Sequence, residues 1–222
     1  MTSAGGAVAV KICGLTRPGD AAMAQAAGAR YVGVVLSPGF RRSVTAARAA
    51  EIFAEVDGCA RVGVFVDATA GAIAGAVDAL RLDVVQLHGA ESPALVREVT
   101  RTGARAWKAV RPRASGDVAR ALEAWGGVVD GLLLDGWAAH APGGTGARFD
   151  WTLAAREWPH GEGPTRVAAG GLNPDNVHAA IEALAPDVVD VSSGVEAVHG
   201  RKDPGLVGRF LAAAAGVGRG QA

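Results

Sequence analysis

Apolar residues in this chain come in short unbroken runs, separated by longer stretches in which they recur at helical spacing among alanines and charges. Eight of the runs read as strands: 8–13, 31–36, 61–66, 84–87, 106–110, 131–135, 166–169 and 188–192. Continuous rather than alternating apolar character suits parallel strands covered on both faces. Stretches 18–27, 46–56, 92–102, 174–184 and the closing 203–215 read as amphipathic helices. Thr45, Ser92 and Asn173-Pro174 stand where a helix needs a capping side chain or a proline-tolerant first turn.

Eight strand–helix units in 222 residues predict an α/β fold, a closed (βα)8 TIM barrel. A doubly wound open sheet normally uses fewer units, and the Gly-x-Gly-x-x-Gly fingerprint is missing after the first strand. No shift in composition marks a boundary, so one domain over residues 1–222 is expected, with loose ends at 1–7 and 216–222.

Charge narrows the partners. Lys+Arg and Asp+Glu balance at 22 each, so no overall field points to nucleic acid or a membrane surface. An anionic ligand must therefore be held by a local site. Two cysteines, Cys13 and Cys59, make no disulfide framework and too few thiolates for a metal cluster. Every apolar run is interrupted before transmembrane length, and Met1–Ala7 lacks the pattern of a signal peptide. A cytoplasmic enzyme, monomer or homodimer, is the expectation.

In a barrel the C-terminal strand ends surround one mouth, where the chemistry collects. Polar residues gather at those ends: Cys13, Arg41-Arg42, Asp67, Gln86, His88, Lys108, Arg111, Asp135, Gly170-Gly171 and Ser192-Ser193. Cys13 stands where a strand hands over to Gly14, and neighbours can set a thiol pKa near neutrality. Free cysteines are also common inert packing, the reading given to Cys59 at the opposite face. Asp135 follows Leu132-Leu133-Leu134, so desolvation is expected to raise its pKa, and a Cys13 thiolate would raise it further. An ordinary loop-capping aspartate is the alternative. Together the two residues make a candidate base and acid.

Small-residue loops complete the mouth. Gly170-Gly171 after the seventh strand and Ser192-Ser193-Gly194 after the eighth offer backbone N–H groups to a phosphate. Gly144 and Gly146, in the glycine-rich run 142–151 read as a closing lid, are assigned to the same phosphate. One of Arg41 and Arg42 is expected to clamp a carboxylate, and Gln86, His88 and Asp190 are candidate substrate-binding residues. No His/carboxylate set has metal spacing, so neither metal nor cofactor is expected.

The runs Lys11-Ile12-Cys13-Gly14-Leu15-Thr16, Gln86-Leu87-His88-Gly89, Gly143-Gly144-Thr145-Gly146, Gly170-Gly171-Leu172-Asn173-Pro174 and Asp190-Val191-Ser192-Ser193-Gly194-Val195-Glu196, ending with Lys202-Asp203, resemble phosphoribosylanthranilate isomerase of tryptophan biosynthesis. The resemblance spans about Val10 to Asp203. It implies an Amadori rearrangement of a phosphorylated sugar–anthranilate substrate, with Asp135 as general acid, Cys13 as general base and Arg42 on the anthranilate carboxylate. The run 38–43 departs from the family's Pro-Lys-Ser-x-Arg-Tyr-like pattern, which keeps Arg41 as the alternative to Arg42. The related sugar isomerase of histidine biosynthesis carries an aspartate where this chain has Cys13. A silent sugar-phosphate-binding barrel would have lost the acid and base that this chain keeps.

Overall fold

The unbroken apolar runs become the staves of a closed ring in a computed structural model that describes residues 7–136, 151–158 and 163–216. Strands β1 (Ala9–Ile12), β2 (Tyr31–Val35), β3 (Ala60–Phe65), β4 (Val84–Leu87), β5 (Arg105–Val110), β6 (Gly131–Asp135), β7 (Thr165–Ala169) and β8 (Val188–Val191) pair in chain order. All are parallel, and β8 closes on β1 through Lys11 opposite Asp190. Helices α1 (Pro18–Ala26), α2 (Ala46–Phe53), α3 (Ala70–Leu80), α4 (Pro93–Thr100), α5 (Asp117–Trp125), α6 (Trp151–Glu157), α7 (Val177–Leu184) and α8 (Pro204–Ala215) follow the strands in turn. The predicted barrel is the observed one.

Two apolar layers explain the closure. Val62, Val84, Trp107, Leu133, Val167 and Val188 fill the interior, while the alternate strand residues, Ile12, Val32, Val85, Leu132 and Leu134 among them, pack outward with the helices. Trp107 dominates the interior and tilts against Tyr31 with ring centroids 5.1 Å apart. Gly131 makes room for it, because a Cβ there would lie 2.4 Å from the indole.

Helix starts follow local chemistry. Thr45 and Ser92 accept the backbone N–H groups of Arg48 and Leu95 as expected, and Thr69 and Asp203 cap α3 and α8 in the same way. Each such cap is worth about 1 kcal/mol. The expected start of a helix at residue 174 is corrected to Val177. Asn173 Oδ1 takes the N–H groups of Asp175 and Asn176, and Asn176 Oδ1 takes that of Asn173, so the chain completes a side-chain-locked turn first. A short antiparallel hairpin, β9 (Glu196–Val198) and β10 (Arg201–Lys202), also intervenes between β8 and α8. Of the predicted loose ends, only Ala7 and Gly216 are described, and residues 137–150, with Gly144, Gly146 and nearly all of the expected lid, lie outside the described residues.

Candidate active site

Strand alternation decides what reaches the mouth. On β1, Ile12 packs outward into the helix layer, whereas Lys11 and then Cys13 turn into the barrel. Cys13 follows the last strand residue and is held there by its N–H, which donates to Val191 O at 2.8 Å. Gly33 on β2 leaves the space both side chains need: a Cβ there would stand 3.2 Å from Cys13 Sγ and 3.5 Å from Lys11 Nζ. Lys11 is fully buried and donates to Asp190 Oδ2 at 2.9 Å. Burial opposes its ammonium, but Asp190 and Cys13 outweigh burial and raise its pKa. Burial pushes the Cys13 thiol up, and Asp190 adds to this, while Lys11 and Lys202 pull towards thiolate.

Asp135 ends β6 on the same rim. His88 Nε2 lies 3.1 Å from Asp135 Oδ2, and Gln86 Nε2 lies 3.0 Å from His88 Nδ1. The imidazole thus bridges the two side chains, with Gln86 at one ring nitrogen and Asp135 at the other. Arg111 Nε adds a contact of 3.3 Å to the same carboxylate oxygen. Burial favours the neutral acid, but His88 and Arg111 outweigh it and hold the Asp135 carboxyl below its ordinary pKa. The expectation of a raised pKa is thereby corrected: two donors, His88 and Arg111, converge on one oxygen and outweigh burial. A cavity of about 400 Å³ lined by His88, Arg111 and Arg113 opens beside the pair.

His88 owes its place to a buried strut. Lys108 Nζ donates to Glu91 Oε2 at 2.9 Å and to Gly89 O at 2.6 Å, and Glu91 accepts the N–H groups of Gly89 and Asp67. Lys108 was expected at the mouth. Strand parity turns it outward instead, over the Trp125 ring.

The two loops expected to cradle phosphate lie against each other. Gly170 and Gly171 take φ values of +88° and +67°, conformations that a side chain would strain. Gly194 is packed so closely on the first loop that a Cβ would stand 1.9 Å from Leu172 O. The N–H groups of Ser193 and Gly194, at the start of a short 3-10 turn, have no acceptor among the described residues. Among the described residues, two acceptor atoms are buried without a partner, Gln86 Oε1 and Asp190 Oδ1. Buried acceptors of this kind call for a donor, so a ligand bearing hydroxyls would complement them.

Arg42 reaches the mouth across Gly14, and its guanidinium donates twice to Glu196, from Nε and Nη2, at 2.7 Å each. Ser43, standing where the family pattern has tyrosine, donates to Ser37 O at 2.5 Å and fastens the loop that carries both arginines. Arg41 is exposed, and its carbonyl lies 2.8 Å from His199 Nε2. Lys11, Glu196 and Lys202 are the site residues to which residue-level reading gave no role. A lysine in an apolar strand was the available signal for the first.

The family model for N-(5′-phosphoribosyl)anthranilate isomerase matches residues 10–213. The chain belongs to this isomerase family. It is 46% identical to the N-(5′-phosphoribosyl)anthranilate isomerase of Paracoccus denitrificans over 94% of this chain and 97% of that one. The crystal structure of phosphoribosylanthranilate isomerase from Thermotoga maritima superposes with a TM-score of 0.85 at 37% identity, covering 95% of this chain and 100% of that one. A further isomerase of the family, solved with reduced 1-(o-carboxyphenylamino)-1-deoxyribulose 5-phosphate, has a TM-score of 0.80 at 35% identity, covering 95% and 100%. The barrel is therefore that of an established enzyme family.

Proposed function

We propose that this enzyme converts N-(5-phosphoribosyl)anthranilate to 1-(2-carboxyphenylamino)-1-deoxyribulose 5-phosphate in tryptophan biosynthesis, with Asp135 as general acid and Cys13 as general base. The observation that carries the assignment is the presence of a thiol and a carboxyl at one barrel mouth, each with its own polar retinue. Asp135 protonates the ribose ring oxygen, the C1–O bond breaks, and the anilino nitrogen lone pair forms the Schiff base. The Cys13 thiolate then takes the C2 proton, and the electrons left behind form the enolamine that becomes the ketone. The enol proton leaves and C1 takes up a proton, so C2 is oxidised to the ketone as C1 is reduced within the same molecule, and no external oxidant or reductant is needed.

The free protein holds these groups in the opposite charge states, the thiol raised and the carboxyl lowered. Moving one proton from Cys13 to Asp135 gives the working pair at unchanged net charge. Substrate in the mouth favours that transfer by excluding water from Asp135, while Lys11 and Lys202 already stand beside the sulfur. The phosphate is assigned to Gly170, Gly171, Ser192, Ser193 and Gly194, joined by Gly144 and Gly146, and the anthranilate carboxylate to Arg42. Gln86, His88 and Asp190 line the sugar. A free thiol is the form this chemistry needs, and the one a reducing cytoplasm preserves.

The test generates the substrate in place and follows loss of its fluorescence, with the histidine-pathway substrate alongside. Cys13→Ser and Asp135→Asn should each lower kcat by on the order of a hundred- to ten-thousand-fold while still binding a product mimic. Near-normal turnover in either variant would overturn the roles.

A further inference from the structure

The hairpin between β8 and α8 carries Glu196, to which the chemistry above gives no part, and Lys202, used there only for its charge near Cys13. Glu196 accepts both donors of one guanidinium edge of Arg42 at 2.7 Å and the Lys202 ammonium at 2.9 Å. Lys202 is 2% exposed; its Nζ also donates to Ser192 O at 3.0 Å, and its backbone N–H is tied to Asp20 Oδ2 on α1. Arg42 uses Nε and Nη2 for Glu196, so three N–H groups remain, including the pair along the outer Nη1/Nη2 edge. The one carboxylate set between two cations leaves a single net positive charge for a ligand.

From this geometry, and resting on the function proposed above, we infer that Glu196 and Lys202 are positioning residues that hold the two anion-binding ends of the substrate site in one frame. Glu196 turns the guanidinium so that its outer edge meets the substrate carboxylate. Lys202, by holding Ser192 O, orients the peptide whose other end is the Ser193 N–H, because C=O and N–H point oppositely across a planar trans peptide. Gly14 is part of the same frame: with φ at +67°, it lets Arg42 pass where a Cβ would lie 2.5 Å from its Cδ and 2.7 Å from Ser192 Oγ. Glu196 is ionised throughout the working range; burial opposes its charge, but Arg42 and Lys202 bring its pKa down to about 2.

The experiment measures calorimetric Kd values for two stable mimics, reduced 1-(2-carboxyphenylamino)-1-deoxyribulose 5-phosphate and the same molecule without its carboxyl group. Glu196→Gln should weaken the carboxylated mimic about tenfold and the other less than about twofold, because the two bonds to Arg42 serve only the carboxylate, while Lys202 keeps its own bond to Ser192 O. In turnover its KM should rise far more than its kcat falls. Lys202→Met should weaken both mimics alike, since both carry the phosphate. Equal losses on the two mimics in Glu196→Gln, or a carboxyl-dependent loss in Lys202→Met, would overturn the inference. Should Glu196→Gln fail to fold, Arg42→Lys keeps the charge but not the two-bond edge and must show the same carboxyl-dependent loss. Absence of turnover by the wild-type enzyme sinks the function itself, whereas a normal wild type with indifferent variants sinks only the frame.

Discussion

Gly194→Ala probes the phosphate loops with one methyl group. The added carbon would stand 1.9 Å from Leu172 O, 2.9 Å from Leu172 C and 3.0 Å from Asn173 Cα. All three neighbours are backbone, so no rotamer change relieves the clash. A carbon–oxygen contact is comfortable at about 3.3 Å, so the loops after β7 and β8 must part by roughly 1.4 Å. Misplacement of about 1 Å in a binding constellation can cost a hundredfold. We therefore expect Gly194→Ala to raise the Kd of the reduced product mimic about a hundredfold, which corresponds to roughly 2.7 kcal/mol. Overpacking should also cost about 1–3 kcal/mol of stability, visible as a thermal melt lowered by several degrees. Gly75→Ala is the control: the site is exposed in α3 with nothing within 4 Å of the new methyl, and alanine should stabilise the helix by about 0.5–1 kcal/mol. A folded Gly194→Ala protein that binds the mimic within about twofold of wild type would refute the assignment of phosphate to these loops.

Two further expectations concern charge. Arg111→Gln removes one of the two groups that hold the Asp135 carboxyl low, so its carboxyl carbon resonance should titrate at higher pH than in wild type; an unmoved or lowered titration would count against the contact. Glu196 has a folded pKa near 2 against 4.5 for the free side chain, so its contribution is complete above pH 4.5 and is lost as pH falls towards 2. The loss is on the order of 3 kcal/mol, and urea unfolding of wild type between those pH values should decline more steeply than that of Glu196→Gln.

The runs of apolar residues were enough to place eight parallel strands and to close them into a barrel, because period and burial on both faces are local properties of the chain. The caps at Thr45 and Ser92 were equally legible, since a cap is made within four residues. Tertiary structure decided what those positions do. Lys11 reaches Asp190 across 179 residues, and Arg42 reaches Glu196 across 154, and no local pattern announces either pair. Strand parity sent Lys108 outward to brace the loop under His88 rather than into the mouth. The charge of Asp135 was read wrongly from its apolar neighbours in sequence, because the groups that set it come from the ends of β4 and β5. Burial is written along the chain, whereas electrostatic partners are chosen by the ring that brings distant strand ends together.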